Sequence, residues 1–206
     1  MSRIVKKPDI RKKEIIDTAR RLFQSLTYEA ATMQNVMDEI GIAKGTIYHY
    51  FKSKEELLEA VVEDVIDQSL ARMEEIVSQS DGNALEKIEQ LVLAGDISEN
   101  NQDLLDHLHQ PGNINLHTRL LAVAINKQAP LYAKLIEQGN HEGLFSVSTP
   151  LESAEFILTS VQFMTDIGFF PWSQQDLKRR LAAFPSILEN LLKAAPGSFG
   201  FLSRLG

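Results

Sequence analysis

The chain has 206 residues, 44% of them hydrophobic, enough to build a sizeable core, and a formal charge of −7. It contains no cysteine, which excludes a disulfide framework, a thiolate zinc site and a cysteine nucleophile. The acidity argues against nucleic acid until it is divided along the chain: residues 1–54 carry 11 Lys/Arg against 6 Asp/Glu and residues 55–206 carry 10 against 22, a basic module before an acidic one.

Helix punctuation recurs and strand alternation is absent. Asp9 is expected to cap a first helix whose Ile15, Ile16, Ala19, Leu22 and Phe23 fall at helical spacing, with a loop over residues 26–31. Thr32 caps a short helix with Met33, Val36, Met37 and Ile40 inward, and Gly41 ends it in the left-handed conformation that glycine favours. Ser53 and Glu56 read as a capping box opening a long helix through Leu57, Leu58, Val61, Val62, Val65, Ile66, Leu70, Met73 and Ile76. Asn83 with Glu86 opens another to about Leu93, and residues 101–108 form one more before Pro111-Gly112. Residues 114–138 are helical with a kink expected at Pro130. Thr149-Pro150-Leu151-Glu152 combines a cap, a proline at the first position and a glutamate at the third, starting a helix to about Ile167. Ser173 with Asp176 starts the last, with Leu177, Leu181, Phe184, Leu188 and Leu191 on one face and a bend at Pro185.

The sum is an all-α protein of about nine helices. Residues 1–52 form a small three-helix module, a connecting helix covers about 53–78, and residues 53–206 form a second helical domain. No apolar run approaches the ~20 residues that span a bilayer, and residues 1–30 lack a secretory signal, so the chain is expected to be soluble and cytoplasmic.

Two short helices joined at Gly41-Ile42 and held against a first helix make the layout of a helix-turn-helix. On the helix of residues 43–50, Ile47 and Phe51 share a packing side, whereas Gly45, Tyr48, His49 and Lys52 face largely the other way. A helix entering the major groove needs small side chains where its backbone nears the bases and donors where it meets phosphate. Gly45 costs a helix about 1 kcal/mol relative to alanine, which points to close approach. Lys44, Thr46, Tyr48, Tyr50 and Lys54 supply donors, His49 can reach a base edge, and Thr32 to Gln34 offer the positive end of a helix to phosphate. An ordinary helical hairpin with packed tyrosines and solvated lysines is the alternative that spacing alone leaves open.

Residues 10–65 resemble the tetracycline-repressor (TetR) family of bacterial transcription regulators. The stretch "IIDTARRLF", a helix opened by a threonine, and "IGIAKGTIYHYFKSKEELLEAV" match that family's pattern G-x-x-x-x-T-x-Y-x-(Y/H)-F-x-(S/N)-K-x-x-L position by position. A weaker echo, "EQGNHEGLFSVSTPLESAEF", is similar to the connector before the family's last two helices. The resemblance implies that Lys44, Gly45 and His49 read bases and that Thr32, Gln34, Thr46, Tyr48, Tyr50 and Lys54 contact phosphate. It also implies an inverted-repeat operator, a homodimer and a small-molecule effector that opposes DNA binding. The sequence departs from the family at Tyr28 to Ala30, where a glycine is usual. Arg3, Lys6 and Lys7 in the basic arm could add DNA contacts or belong to a loose terminal tail.

By the same resemblance, the last two long helices pack across a two-fold axis, with Ala154, Ile157, Leu158, Val161, Leu177, Leu181 and Leu188 at the interface; their stripes could equally face the chain's own core. Met73, Leu104, His107, Leu108, His117, Leu121, Tyr132, Phe156, Phe163, Met164 and Trp172 are candidates for a largely apolar ligand cavity, and each is also a plain core candidate. The connector Phe169-Phe170-Pro171-Trp172 could wall that cavity, cover a dimer edge or fill the core. His107, His109 and His117, with Asp103, suggest a metal, but histidines at i and i+2 diverge on a helix and no second ligand pair is tightly spaced, so no metal and no other cofactor is expected. Lys178-Arg179-Arg180 reads as a solvated face. An enzyme is not expected, because phosphate-binding glycine loop, nucleophile elbow and Glu-x-x-His pair are all absent. The reading is a ligand-released homodimeric repressor; an activator, or a protein-binding adaptor without small-molecule control, is the alternative.

Overall fold

The computed structural model describes residues 7–79, 81–97 and 101–204. Among them are nine α-helices and no strand: α1 (Pro8–Leu26), α2 (Met33–Ile40), α3 (Lys44–Tyr50), α4 (Lys54–Gln79), α5 (Ala84–Gly95), α6 (Gln102–Leu108), α7 (Ile114–His141), α8 (Pro150–Thr165) and α9 (Gln174–Leu192). Short 3-10 segments occupy Pro111–Asn113 and Gly200–Arg204. None of these helices is long and apolar enough to cross a membrane. The chain divides into two compact units at Ile66/Asp67, after Ile97 and at Leu108/His109. The first holds α1 to α3, the first half of α4 and α6; the second holds the rest of α4, α5 and α7 to α9.

In the first unit, Ile15, Ala19 and Phe23 of α1 bury one face together with Val36 of α2, Ile47 of α3, Phe51, and Leu57, Leu58 and Val61 of α4. Removal of this apolar surface from water is what holds helices too short to persist alone. Pro8 rather than Asp9 starts α1: Lys7 is the cap residue and makes no side-chain cap bond, which leaves Asp9 in the first turn beside the positive helix end. Thr32 caps α2 as expected. Its hydroxyl accepts from the Asn35 N–H at 3.1 Å, and its own N–H donates to Asn35 Oδ1 at 2.9 Å. Gly41 sits at φ 73°, ψ 41° and donates its N–H to the Met37 carbonyl at 2.9 Å, closing α2 and setting the turn into α3.

The loop that lacks the usual glycine has a structural consequence. Thr27 takes φ 67°, ψ 158°, a region that only glycine enters without strain. The box at α4 is shifted by a residue: Ser53 Oγ accepts from the Glu56 N–H at 3.1 Å, while the Glu56 carboxylate accepts from the Lys52 N–H at 2.6 Å.

The second unit is built around α7, which packs on α5 and α8, while α8 packs on α9. Asn83 and Glu86 form the expected reciprocal cap of α5. α7 continues through Pro130 as one helix of 28 residues, longer than the sequence suggested and without a break there. Its end is fixed by Gly139, where a Cβ would lie 2.1 Å from the buried Phe145 ring. Asn140 then grips the connector, its Nδ2 donating to the Val147 carbonyl at 2.8 Å and its Oδ1 accepting from the Val147 N–H at 2.9 Å. Thr149 makes no cap bond to α8, so Pro150 at the first position supplies that start signal, whereas Ser173 Oγ accepts from the Asp176 N–H at 3.1 Å to cap α9.

Candidate nucleic-acid interface

The two sides of α3 separate cleanly. Ile47 and Phe51 are buried, while Lys44, Gly45 and His49 are exposed and Thr46, Tyr48 and Tyr50 half-buried. A Cβ added at Gly45 would meet nothing within 4 Å. The protein itself therefore has no steric need for glycine there, and the bare backbone faces outward. Lys44 Nζ stands 5.7 Å from the centre of the Tyr48 ring, and His49 lies edge-on to Tyr50 at 5.1 Å. Lys52 folds back, its Nζ donating to the Tyr48 carbonyl at 2.8 Å, and so serves the C-terminus of α3. On α2, Thr32 and Gln34 are exposed; Gln34 Nε2 donates to Asp38 Oδ1 at 2.6 Å.

Lys54 has an additional engagement. Its Nζ lies 4.0 Å over the Tyr28 ring and donates to the Glu29 carbonyl at 3.3 Å. Burial lowers its pKa, partly offset by Glu29 and Glu55. Tyr28 stacks edge-on with Phe23 at 5.1 Å and lies 3.9 Å from the His107 ring. Burial, aided by Glu55 and Glu29, pushes its hydroxyl up to about 12. His107 Nδ1 is 2.8 Å from Glu29 Oε1, so α6 braces the 27–31 loop behind α2 and α3. Leu104, His107 and Leu108, expected in the ligand region, are thus parts of the first unit. Nothing in the local pattern of residues 101–108 signals this, because the partners lie some 78 positions earlier. Arg3 and Lys6 lie outside the described residues, and Lys7 is exposed.

The second unit contains a cavity of about 500 Å³ bounded by α5, α7, α8, α9 and the C-terminal segment. Of the residues expected to line it, Tyr132 does so. Met73 is in the core, Leu121 is half-buried, Phe156 and Met164 are exposed, and Phe163 stacks on Phe169. Trp172 stacks on Phe170 and lies under Arg180, 3.4 Å from the ring centre. Six side chains read as interface candidates, Ala154, Ile157, Leu158, Val161, Leu181 and Leu188, also line the cavity; Leu177, half-buried, does not. The sequence reading missed Gln128 and Gln162, which place amides in this apolar wall, Gln162 Nε2 donating to Gln128 Oε1 at 3.4 Å. Gln162 Oε1 is buried without a partner, and burial raises the Tyr132 pKa.

Elsewhere in the same unit, His117 stacks on Phe169 and its Nε2 lies 2.9 Å from Asp166 Oδ2. Burial alone would raise Asp166; the His117 hydrogen bond and charge, with the Gly168 N–H, hold the carboxyl below its ordinary value.

Three helices with a left-handed glycine turn, a third helix presenting lysine, glycine and histidine outward, and a separate helical unit with a cavity define a helix-turn-helix transcription regulator. Residues 15–61 match the family described as "Bacterial regulatory proteins, tetR family", and residues 96–187 match "Tetracyclin repressor-like, C-terminal domain". The chain belongs to the TetR family, whose members are transcription regulators and not enzymes. It is 26% identical over 149 residues to the HTH-type transcriptional repressor KstR2 of Mycobacterium tuberculosis, covering 70% of this chain and 74% of that protein. It is 36% identical over 74 residues to the HTH-type transcriptional repressor AcnR of Corynebacterium glutamicum, 36% of this chain and 37% of that protein. Its fold matches a transcriptional regulator from Cytophaga hutchinsonii with a TM-score of 0.65 at 18% identity, over 95% of this chain and 97% of that one.

Proposed function

We propose that this regulator is a cytoplasmic homodimeric repressor that binds an inverted-repeat operator and leaves it when a small, largely apolar ligand occupies the second unit. The observation that carries the DNA reading is the outward face of α3, where Gly45 leaves bare backbone with open space before it, between Lys44 and His49. Lys44, Gly45 and His49 are assigned to base edges. Thr32, Gln34, Thr46, Tyr48, Tyr50 and Lys54 are assigned to phosphate, with Lys54 also bracing the loop it covers. We assign residues 1–52 to reading DNA, about 53–78 to the connecting helix, and 53–206 to ligand binding and dimerisation.

Support for a dimer comes from apolar side chains left in water on α8 and α9, among them Phe156 at 61% exposure and Ile187 at 52%. A two-fold pair would cover them and present two α3 helices to successive major grooves, roughly 34–36 Å apart. Support for the ligand class comes from the cavity wall: an apolar body fits it, and a hydrogen-bond donor would satisfy the bare Gln162 Oε1. Ligand and operator then oppose each other through linkage.

The test is a mobility-shift titration against DNA flanking the chain's own gene. A salt-sensitive, sequence-selective shift is expected at nanomolar to micromolar protein, and its absence sinks the proposal. His49→Ala should relax preference at one position of each half-site, while Tyr50→Phe weakens all sequences alike; identical effects of both on every DNA refute the assignment of roles.

A further inference from the structure

We infer that His109, His117 and Asp166 form a binding site for one first-row divalent transition ion, zinc being the best match to the donors. Neither the outward face of α3 nor the lining of the cavity includes these groups, although His117 is a cavity candidate by sequence. Three segments bring them together: His109 follows the last residue of α6, His117 lies in the first turn of α7, and Asp166 caps the end of α8. One ligand atom from each residue lies within 4.8 Å of the others. Asp166 Oδ2 is 2.9 Å from His117 Nε2, and Asp166 Oδ1 is 3.8 Å from His109 Nε2. An ion at 2.0–2.2 Å from each ligand holds them about 3 to 3.5 Å apart, so side-chain shifts of roughly an ångström would close the site.

The surroundings hold the carboxylate and the imidazole of His117 in place. His117 is only 4% exposed, and its Nδ1 is buried with no hydrogen-bond partner. An ion held at Nε2 beside Asp166 does not reach Nδ1, so the site rests on Nε2 and Nδ1 is left to carry the ring proton. Asp166 is aimed rather than loose. Its Oδ1 accepts from the Gly168 N–H at 2.8 Å and the Phe169 N–H at 3.3 Å, the kind of outer support that orients a ligating carboxylate. Gly168 is needed for this close approach, since a Cβ there would lie 2.8 Å from His109 Cδ2 and 3.0 Å from Asp166 Oδ1. Phe169 stacks on His117 at 4.9 Å and Phe163 on Phe169 at 4.4 Å, giving one side a dry aromatic wall. The His109 side chain keeps 23% of its surface exposed and marks the way in from solvent.

Two imidazoles and one carboxylate select nitrogen-accepting ions such as zinc, cobalt and nickel over magnesium and calcium, which prefer oxygen alone. Three protein ligands leave further positions for water or an external donor, as in open rather than closed sites. The ion would pin the connector leaving α6 to the start of α7 and the end of α8.

Metal binding needs no DNA, so it can be tested apart from the repressor proposal. The purified full chain, stripped with chelator, is titrated with cobalt(II) and followed by its visible absorption bands, then challenged with zinc. One cobalt per chain, displaced by zinc, with a zinc-dependent rise in melting temperature, is expected. His109→Ala and Asp166→Asn should each weaken binding at least tenfold while helical circular dichroism is retained; His141→Ala, on the exposed end of α7, should leave it unchanged. Absence of cobalt binding at micromolar protein overturns the site. So does binding that survives in both variants, since the ion would then be held elsewhere.

Discussion

The reader helices and the histidine–aspartate cluster of the second unit are assembled in opposite ways. All residues assigned to DNA lie between Thr32 and Lys54, on α2 and its cap, on α3, and at the first residue of α4. The cluster draws on His109, His117 and Asp166 from three separate segments, and the cavity draws on five. A site carried on one helix face inherits its geometry from the 3.6-residue repeat, so spacing in sequence becomes position in space. A site made between helices depends on which faces pack, and spacing carries no record of that choice.

The largest expected effect tests whether the reader's two faces are separable. Phe51, 2% exposed, sits at the junction of α3 with the core. Phe51→Ala should cost about 3–5 kcal/mol in urea unfolding and abolish DNA binding with it. A loss under about 1 kcal/mol would mean that α3 is not held by that ring.

In the second unit the matching test is overpacking. Gly139→Ala should destabilise by about 1–3 kcal/mol, because Phe145, stacked on Phe199, has nowhere to move. An unchanged melting temperature would show that the ring yields.

Thr27→Gly should do the reverse for the reader, raising stability by about 1 kcal/mol by removing the positive-φ strain. Its gain is expected in equilibrium unfolding, and a net loss would show that the threonine side chain has compensating contacts. The smallest effect belongs to the exposed face: His49→Ala should shift unfolding by less than about 0.5 kcal/mol while still changing base preference. A large stability loss there would place His49 with Ile47 and Phe51 rather than opposite them.

Much of the fold was legible because helix ends are local chemistry. Thr32, Gly41, Asn83 and Ser173 each act where their side chain or backbone freedom predicted. Two expected side-chain caps are not made, at Asp9, which lies inside α1, and at Thr149, where α8 does start as expected; both sit beside a proline, Pro8 and Pro150, at the first helical position. The aromatic connector resolved in a way composition could not indicate, Phe169 going to His117 and Trp172 to Arg180.

By itself, then, the sequence determined an all-α chain, its main helix boundaries and a helix-turn-helix with an outward face of lysine, glycine and histidine. Each of these depends on residues within about one or two helical turns of one another. Only the tertiary structure decided that α6 supports the reader loop through His107, that α8 and α9 wall a cavity with Gln128 and Gln162, and that Asp166 meets two histidines. Those outcomes come from burying apolar faces, a force that scales with area and has no direction. Which polar groups are then carried into contact depends on the packing reached, not on their order along the chain.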